Sequence, residues 1–302
     1  MILGHHKQRQ FLKKLVELNK LPHAFLFSGE KQIGKKTLAI EFIKFLNCQS
    51  SKRPCNICRS CKDIEKKVDP DSIIIKPEQG KKEISISQIR NLIWKTSLFP
   101  YSASFKTAII DQAHLMTKEA QNCFLKTLEE PKGKSALFLI TEYPDFLLPT
   151  IISRIQKIRF FPVKKKELEN YLFKQGVSQN RVEYLTSFCL GKPGMIIDFL
   201  ADQEKIKNHQ DFISDIEKIS ESDFGFRFQY VKNLLEKDVS IKDVLDTWLV
   251  YFRKMFFSSL EKGDDCSKIK KIILKIQSTN YLISTTNINP KLALELLLME
   301  IK

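Results

Sequence analysis

The sequence lacks any uninterrupted apolar segment of membrane-spanning length. No run approaches the roughly 20 apolar residues that a transmembrane helix needs. The first 20 residues mix His5, His6, Lys7 and Arg9 with apolar residues, so they do not form a continuous secretion signal. Internal repeats and low-complexity linkers are lacking too, while 43% hydrophobic and 28% charged residues are typical of globular proteins. We therefore expect a soluble, cytoplasmic protein rather than a fibrous or disordered one.

Acidic residues are few relative to basic ones. There are 35 Asp and Glu residues against 50 Lys and Arg residues, which gives a net charge of +15. This excess favours contact with an anionic polymer or with acidic partner proteins. Many of the lysines, such as Lys164 to Lys166, would equally lie on solvated helix faces, so charge alone does not identify a DNA-binding site.

Disulfide bonds are not expected although the chain has seven cysteines, because the cytosol keeps thiols reduced. Four of them, Cys48, Cys55, Cys58 and Cys61, fall within fourteen residues. Four thiolates at this spacing can form a tetrahedral site, and Zn²⁺ is the metal that we predict for it. An iron–sulfur cluster would place its fourth cysteine downstream, and metal-free thiols are the remaining alternative.

The first half of the sequence alternates short apolar runs with amphipathic stretches, which predicts a parallel sheet flanked by helices. The predicted strands are 24–28, 72–76, 107–110, 136–140 and 155–160. The predicted helices are 8–19, 36–46, 86–97, 118–128 and 146–153. Together they indicate a nucleotide-binding α/β domain that ends near Pro162.

Strand signals largely stop after Val163, and the rest of the chain is predicted to be helical. The turn Gly191-Lys192-Pro193-Gly194 separates two helical patterns, and Asn289-Pro290 begins a last helix that runs to Ile301. We predict three domains: an α/β domain at 1–162 with a zinc-binding insertion at 48–61, a small helical lid at 163–208, and a helical bundle at 209–302.

A glycine-rich motif follows the first predicted strand. The segment Gly29-Glu30-Lys31-Gln32-Ile33-Gly34-Lys35-Lys36 fits G-x-x-x-x-G-K, a loop whose backbone amides can surround phosphates at a helix N-terminus. The last position should provide a Ser or Thr hydroxyl to Mg²⁺, but it is Lys36. Thr37 comes one residue late and therefore points about 100° away on a helix. Taken alone, the motif is also compatible with an ordinary turn between a strand and a helix.

A second motif lies at the end of the third predicted strand. Asp111 stands where an active enzyme of this architecture would bind the metal ion, and Gln112 stands where a Glu would activate water. An amide does not accept a proton at neutral pH, so Gln112 cannot act as a general base. Lys36 in place of the metal-binding hydroxyl and Gln112 in place of the general base therefore each indicate weak γ-phosphoryl transfer.

Two further signals are weak when taken singly. Thr141 ends the fourth predicted strand, and Ser153-Arg154 precedes the fifth. An exposed Ser-Arg pair is commonly a solvated turn. The order and spacing of these residues after the phosphate-loop motif strengthen a functional interpretation.

Taken together, these residues resemble the clamp-loader branch of the AAA+ proteins, and most closely the delta prime subunit family of bacterial DNA polymerase III. The resemblance covers most of the chain. It is carried by the four-cysteine insertion and by Ile2-Leu3-Gly4-His5, Leu21-Pro22-His23-Ala24-Phe25-Leu26-Phe27, Asp69-Pro70-Asp71, Lys126-Thr127-Leu128-Glu129-Glu130-Pro131, Thr150-Ile151-Ile152-Ser153-Arg154 and Asn289-Pro290-Lys291-Leu292-Ala293-Leu294-Glu295.

The resemblance implies a subunit of a ring-shaped pentamer, with an AAA+ core, a helical lid and a C-terminal collar. Such assemblies use ATP bound by tau/gamma subunits to open the sliding clamp and place it on primed DNA, together with a delta subunit. In this chain, Ser153-Arg154 would supply an arginine finger to a neighbouring tau/gamma subunit. Ile155 stands where the family usually has Cys, and no nucleotide-sensing Arg follows Gly191-Lys192-Pro193-Gly194. ATP binding without hydrolysis remains open.

Two other functions compete with this interpretation. An active tau/gamma-type ATPase would share the fold and the zinc cysteines, but Lys36 and Gln112 argue against it. A stand-alone DNA-binding module would use the positive charge, but it would need aromatic and basic residues on one face. The phenylalanines of this sequence are dispersed in a way that fits a core better.

Overall fold

A computed structural model of the protein describes residues 2–101, 103–131, 133–237, 239–286 and 288–301. The chain forms two compact units, one comprising Met1–Val182 and Gly191–Gly194, the other comprising Glu183–Leu190 and Met195–Lys302. Among the described residues, no helix combines the length and the apolar character that crossing a membrane requires. The division into three domains that the sequence suggests stays a prediction.

The first unit contains a five-stranded sheet in the order β2-β3-β4-β1-β5, and every neighbouring pair is parallel. Its strands are β1 (Ala24–Ser28), β2 (Ser72–Ile75), β3 (Lys106–Asp111), β4 (Ser135–Thr141) and β5 (Gln156–Arg159). Its helices are α1 (His6–Glu17), α2 (Lys35–Asn47), α3 (Arg59–Lys66), α4 (Ile86–Ser97), α5 (Lys118–Glu129), α6 (Pro149–Ile152) and α7 (Lys165–Lys174).

The three central strands of the sheet, β1, β3 and β4, are buried on both faces. Successive side chains of a strand point to opposite faces, so Phe25 and Phe27 of β1 join one apolar cluster while Ala24 and Leu26 join the other. The Phe25 ring stacks on Phe138 of β4, with 5.4 Å between the ring centroids. Parallel strands covered on both sides read as continuous apolar runs, which is why the sequence predicts them well.

The buried Asp71 carboxylate joins β2 to β3 and to the loop between α4 and β3. It accepts a hydrogen bond from Lys106 Nζ at 2.6 Å and from the amides of Tyr101 and Ala103 at 2.9 and 3.0 Å. The Asp71 side chain is 0% exposed and that of Lys106 9% exposed. A buried charge needs such partners, because leaving one uncompensated is strongly destabilising.

Two predicted elements of the first unit differ from the structure. The helix predicted at 146–153 is replaced by a 3₁₀ turn at Pro144–Phe146 and the short helix α6. Pro149 explains the break, because proline disfavours helical geometry in the preceding residue and lacks an amide hydrogen. Helix α3, which follows the clustered cysteines, was not predicted, since only Cys61 and Ile64 of its eight residues are buried.

The second unit is helical. Helices α8 (Gln179–Cys189) and α9 (Pro193–Ala201) have residues in both units, and the remaining helices are α10 (Gln203–Glu221), α11 (Phe224–Glu236), α12 (Ile241–Lys262), α13 (Ser267–Thr285) and α14 (Pro290–Glu300). Trp248 of α12 is fully buried in the apolar core of this unit and donates a hydrogen bond to the Phe212 carbonyl. The predicted fold class, a parallel α/β sheet followed by helices, is therefore confirmed.

Candidate functional site

The predicted phosphate loop, residues 29–36, joins β1 to α2. Gly34 caps the N-terminus of α2 with a φ of 106°, a conformation that side chains with a Cβ rarely adopt. Gly29 has a φ of 149°, and a Cβ there would lie 2.8 Å from the Phe160 carbonyl oxygen. Both glycines of the motif are therefore required by the backbone, which bends sharply beside β5.

Lys35, the lysine that would contact phosphate, is directed back to its own loop. Its Nζ donates to the carbonyl oxygens of Gly29 at 2.6 Å and Glu30 at 2.5 Å. The residue is only 6% exposed. A phosphate would have to displace these carbonyl contacts to reach the ammonium group.

Lys36 occupies the position of the expected metal-binding hydroxyl, and its ammonium binds the predicted metal-binding carboxylate. Lys36 Nζ lies 2.8 Å from Asp111 Oδ2, and the two side chains are 35% and 20% exposed. Thr37 is exposed on α2. A cation fixed on the protein therefore already neutralises the carboxylate that would hold Mg²⁺.

Gln112 directly follows β3, and Thr141 is the last residue of the neighbouring strand β4. Gln112 is exposed, has a φ of 58°, and begins a 3₁₀ turn over Ala113–Leu115. The buried Thr141 hydroxyl lies 3.1 Å from His114 Nδ1 and accepts a hydrogen bond from the Tyr143 amide. The Thr141 carbonyl also accepts from the Gly29 amide at 3.3 Å, which ties β4 to the phosphate loop.

The turn Gly191-Lys192-Pro193-Gly194 lies against the phosphate loop. Lys192 Nζ is 2.9 Å from Glu30 Oε2, and the Gly194 amide donates to the Gln32 carbonyl at 2.8 Å. A Cβ on Gly194 would lie 2.7 Å from that carbonyl oxygen, so the close approach needs glycine. The sequence marked this turn as a break between helices and, through the family resemblance, as the place of a nucleotide-sensing Arg, but it did not predict the contacts with Glu30 and Gln32.

His5, which precedes α1 near the N-terminus, also supports the loop and was not predicted to do so. Its Nε2 lies 2.7 Å from the Ile33 carbonyl oxygen, and its ring packs edge-on against Phe160. Because a carbonyl only accepts, Nε2 carries the proton in this contact. Burial lowers the pKa of His5, so the neutral ring is favoured.

The four clustered cysteines come together beside α2 and α3. The sulfur atoms of Cys48, Cys55, Cys58 and Cys61 all lie within 4.8 Å of one another. Cys48 and Cys61 are buried, and Cys55 and Cys58 are half-buried. Four sulfurs around one ion with bonds of about 2.3 Å stand about 3.8 Å apart, so small shifts close the cluster around a metal ion.

Backbone amides prepare this cluster for a cation. The Cys55 amide donates to Cys48 Sγ at 3.4 Å, and the Cys58 amide donates to Cys55 Sγ at 3.3 Å. The hydrogen bond from Cys58 lowers the pKa of Cys55 to about 6, whereas burial raises the pKa of Cys61 to about 12. The set of four soft donors could hold a metal ion, which would deprotonate the buried thiols as it binds.

Ser153 and Arg154 follow α6, away from the phosphate loop in sequence. Arg154 Nη2 forms an ion pair of 2.8 Å with Glu129 Oε1, and the Arg154 side chain is 38% exposed. Arg154 Nη1 donates to the Thr150 carbonyl at 3.0 Å and to Ser153 Oγ at 3.2 Å. The guanidinium therefore lies at the surface with a defined orientation. Glu129 was recognised only as part of a motif, not as the partner of Arg154.

Comparisons with known proteins identify the family. A family model described as "DNA polymerase III, delta subunit" matches residues 4–164. The DNA polymerase III delta' subunit of Bacillus subtilis is 37% identical over 180 residues, 59% of this chain and 54% of that protein. The gamma/tau subunit of Mycoplasma genitalium is 28% identical over 302 residues, 94% of this chain and 50% of that protein. The chain thus spans about half the length of these curated relatives.

A solved structure supports the fold over 97% of the chain. The gamma subunit-related protein of DNA polymerase III from Thermotoga maritima is 20% identical, with a TM-score of 0.55 and 97% of each chain covered. At this level of identity the likeness concerns the fold alone. The family model, in contrast, matches more than half of the 302 residues. The protein therefore belongs to the clamp-loader family of DNA polymerase III subunits.

Proposed function

We propose that this protein is the delta prime subunit of a DNA polymerase III clamp loader, an AAA+ subunit that does not hydrolyse ATP itself. It would act as a stator in a ring with tau/gamma and delta subunits, and the ring would load the sliding clamp on primed DNA. The observation that carries the proposal is the ion pair between Lys36 and Asp111 at 2.8 Å.

This ion pair opposes ATP hydrolysis by the chain itself. P-loop NTPases hold Mg²⁺ with the loop Ser or Thr and a strand-end Asp, and the ion neutralises charge that develops during phosphoryl transfer. Here the ammonium of Lys36 replaces the first ligand and binds the second. Gln112 adds an independent defect, because its amide cannot take a proton from water. Gly29, Gly34, Lys35, Thr37 and Thr141 would belong to the same degenerate nucleotide site.

Arg154, assisted by Ser153, would act on the ATP of a neighbouring tau/gamma subunit. An arginine supplied in trans stabilises transition-state charge on the transferred phosphoryl group. The exposure of its side chain and its fixed orientation support such a role. Relatives named gamma/tau and tau are similar to this chain, which is consistent with neighbouring subunits of the same family.

Zn²⁺ is the metal that we propose for the four cysteines. A closed set of four thiolates suits a structural zinc ion, which has no redox chemistry and prefers tetrahedral geometry. The approach of all four sulfurs to within 4.8 Å supports this assignment over free thiols. The site would stabilise the insertion between α2 and α3 rather than take part in phosphoryl transfer.

An active tau/gamma-type ATPase is the second candidate. The gamma/tau relative matches 94% of this chain, whereas the delta' relative matches 59%. The contacts of Lys36 and the amide of Gln112 favour the delta prime role despite this longer match. The three proposed domains, 1–162, 163–208 and 209–302, would be the AAA+ core, the lid and the collar in either case.

A reconstituted clamp loader tests the proposal through Arg154. Arg154→Ala should lower clamp- and DNA-stimulated ATP hydrolysis by the neighbouring subunit, by roughly 10³-fold or more at that one site where phosphoryl transfer limits turnover. The fall in total hydrolysis should be partial because other interfaces keep their own arginines. Arg154→Lys should rescue poorly, since an ammonium cannot contact two phosphate oxygens as a planar guanidinium does.

The surface residue Arg159 provides a matched control in the same unit. Arg159→Ala should leave hydrolysis unchanged, and size-exclusion chromatography should show that each variant enters the ring. An assembled Arg154→Ala complex with normal hydrolysis and clamp loading would contradict the proposed role and leave Ser153-Arg154 as a solvated turn.

A further inference from the structure

The guanidinium of Arg154 is held from two sides by its own chain. Glu129 Oε1 binds Nη2 at 2.8 Å, while the Thr150 carbonyl and Ser153 Oγ accept from Nη1 at 3.0 and 3.2 Å. Within the described part of the chain, the Nε–H group of Arg154 has no hydrogen-bond partner. The side chain is thus oriented while donors on it are still available to an incoming anion.

The backbone around this arrangement is fixed by a buried side chain. Gln121 of α5 donates to the carbonyls of Met116 and Phe146 and accepts from the Leu148 amide at 2.8 Å. This network ties α5 to the segment that leads into α6. Ile151 of α6 is fully buried in the same apolar cluster as Phe124 and Leu128 of α5. The relative position of Glu129 at the end of α5 and Arg154 after α6 is therefore set by the core.

The backbone of Arg154 is fixed by these contacts, but its exposed side chain can still change rotamer. A long exposed side chain populates many rotamers, and selecting one for a reaction costs conformational entropy. Among the contacts above, only Glu129 contributes a charge. The attraction would strengthen when a neighbouring subunit covers the pair, because the local dielectric constant falls.

We propose that Glu129 is a positioning residue for Arg154: it orients the guanidinium for insertion into the ATP site of the neighbouring subunit. This inference rests on the proposed action of Arg154 in trans. Glu129 does not contact the nucleotide in this scheme. The pairing predicts that loss of the Glu129 charge weakens the effect of Arg154 on ATP hydrolysis but does not abolish it.

The experiment uses the complete reconstituted clamp loader with Glu129→Gln, which keeps the size and one acceptor oxygen but removes the charge. We expect kcat for clamp- and DNA-stimulated ATP hydrolysis to fall by about two- to fivefold, the effect that an exposed ion pair supports. The KM for ATP should stay unchanged, because the weakened contact between Arg154 and the transferred phosphoryl group is made only in the transition state. Glu129→Asp, which retains the charge on a shorter side chain, should restore part of the loss.

Glu130 offers a matched control, since it is the next residue, equally acidic and exposed, and makes no ion pair with Arg154. Glu130→Gln should leave kcat unchanged. An equal loss in Glu129→Gln and Glu130→Gln would overturn the inference, because a general change in surface charge would then explain both. An increase of kcat in Glu129→Gln would also overturn it, because Glu129 would then restrain Arg154.

The double variant separates this inference from the proposed function. If Glu129 acts through Arg154, Glu129→Gln should have no further effect on hydrolysis in the Arg154→Ala background. The same loss in both backgrounds would overturn the positioning role while leaving the arginine finger intact. If Arg154→Ala alone has no effect, the proposed function fails and the role of Glu129 fails with it.

Discussion

The ammonium of Lys36 lies 2.8 Å from the carboxylate of Asp111, so the first turn of α2 is joined to the end of β3 by an ion pair. In a P-loop enzyme the same gap is bridged by Mg²⁺ between the loop hydroxyl and the strand-end carboxylate. The lysine neutralises the carboxylate but cannot bridge the β- and γ-phosphate oxygens as the metal ion does. Under the proposed function, the fold is kept while the hydrolytic chemistry would be lost.

Lys36→Thr should partly restore metal-dependent nucleotide binding. The substitution frees Asp111 and supplies the hydroxyl, so we expect affinity for MgATP to rise by about tenfold, the lower end of what one charge-assisted contact contributes. Hydrolysis should remain absent because Gln112 is unchanged. Isothermal titration calorimetry with and without Mg²⁺ measures the Kd for ATP. Thr37→Ala is the control and should not alter binding, whereas identical MgATP affinity in the wild type and Lys36→Thr would contradict the metal-replacement interpretation.

The sequence predicts the central strands closely because β1, β3 and β4 are buried on both faces. Strand β1 is predicted at its observed bounds, and the other strands differ by one residue or so at their ends. An apolar run that is bounded by glycine, proline or polar residues predicts a buried strand directly. The helix predicted at 146–153 is wrong, because a window of apolar residues outweighed the local effect of Pro149.

The contacts of the candidate site are less accessible to sequence reasoning. Lys36 and Gln112 are recognisable as defects because each replaces a residue type that the chemistry requires. The ion pair of Lys36 with Asp111 spans 75 positions and depends on the return of the chain to the same sheet edge. The contact between the Gly194 amide and the Gln32 carbonyl likewise depends on how the turn folds back onto the loop. The hydrophobic periodicity of a sequence does not predict such a contact.

One zinc ion per chain is the outcome expected from elemental analysis of protein purified without added metal. Cys58→Ser should abolish stoichiometric zinc, because a hydroxyl is a poor replacement for a thiolate in a tetrahedral site of four sulfurs. The half-buried Cys123 lies outside the cluster, so Cys123→Ser should keep the ion. Zinc that is absent from the wild type, or present equally in both variants, would contradict the assignment.

The buried pair of Asp71 and Lys106 should contribute strongly to stability. Asp71→Ala leaves the Lys106 ammonium, 9% exposed, without its counter-charge. We expect the free energy of unfolding to fall by about 3–5 kcal/mol, measured by urea denaturation. The exposed pair of Lys81 and Glu78, at 2.6 Å, is the control, and Glu78→Ala should cost less than about 1 kcal/mol. Similar losses in the two variants would show that burial of the first pair does not matter.

The stability of the second unit should decline as the pH falls from about 6.5 to about 4. His209 is 4% exposed between Phe188 and Phe199, and neither ring nitrogen has a hydrogen-bond partner in the described part of the chain. Burial lowers its pKa from 6.5 to about 4. The unfolded chain therefore binds more protons in this pH interval, and acidification favours unfolding by up to about 3 kcal/mol.

His209→Leu should remove much of this pH dependence while preserving an apolar packing volume. Urea unfolding followed through the buried Trp248 at several pH values measures the slope. The exposed His6 supplies a control, and His6→Leu should leave the slope unchanged. Equal slopes for the wild type and His209→Leu would show that the buried imidazole does not govern acid stability.

The steady-state ATPase rate of the isolated chain, at saturating ATP and Mg²⁺, tests the central claim most directly. Under the proposed function, Lys36 and Gln112 would remove metal coordination and water activation, so we expect no phosphate release above that of the Lys35→Ala variant. A turnover of about 1 per second or more, an ordinary enzymatic rate, that is abolished by Lys35→Ala would contradict the account and identify an active tau/gamma-type ATPase.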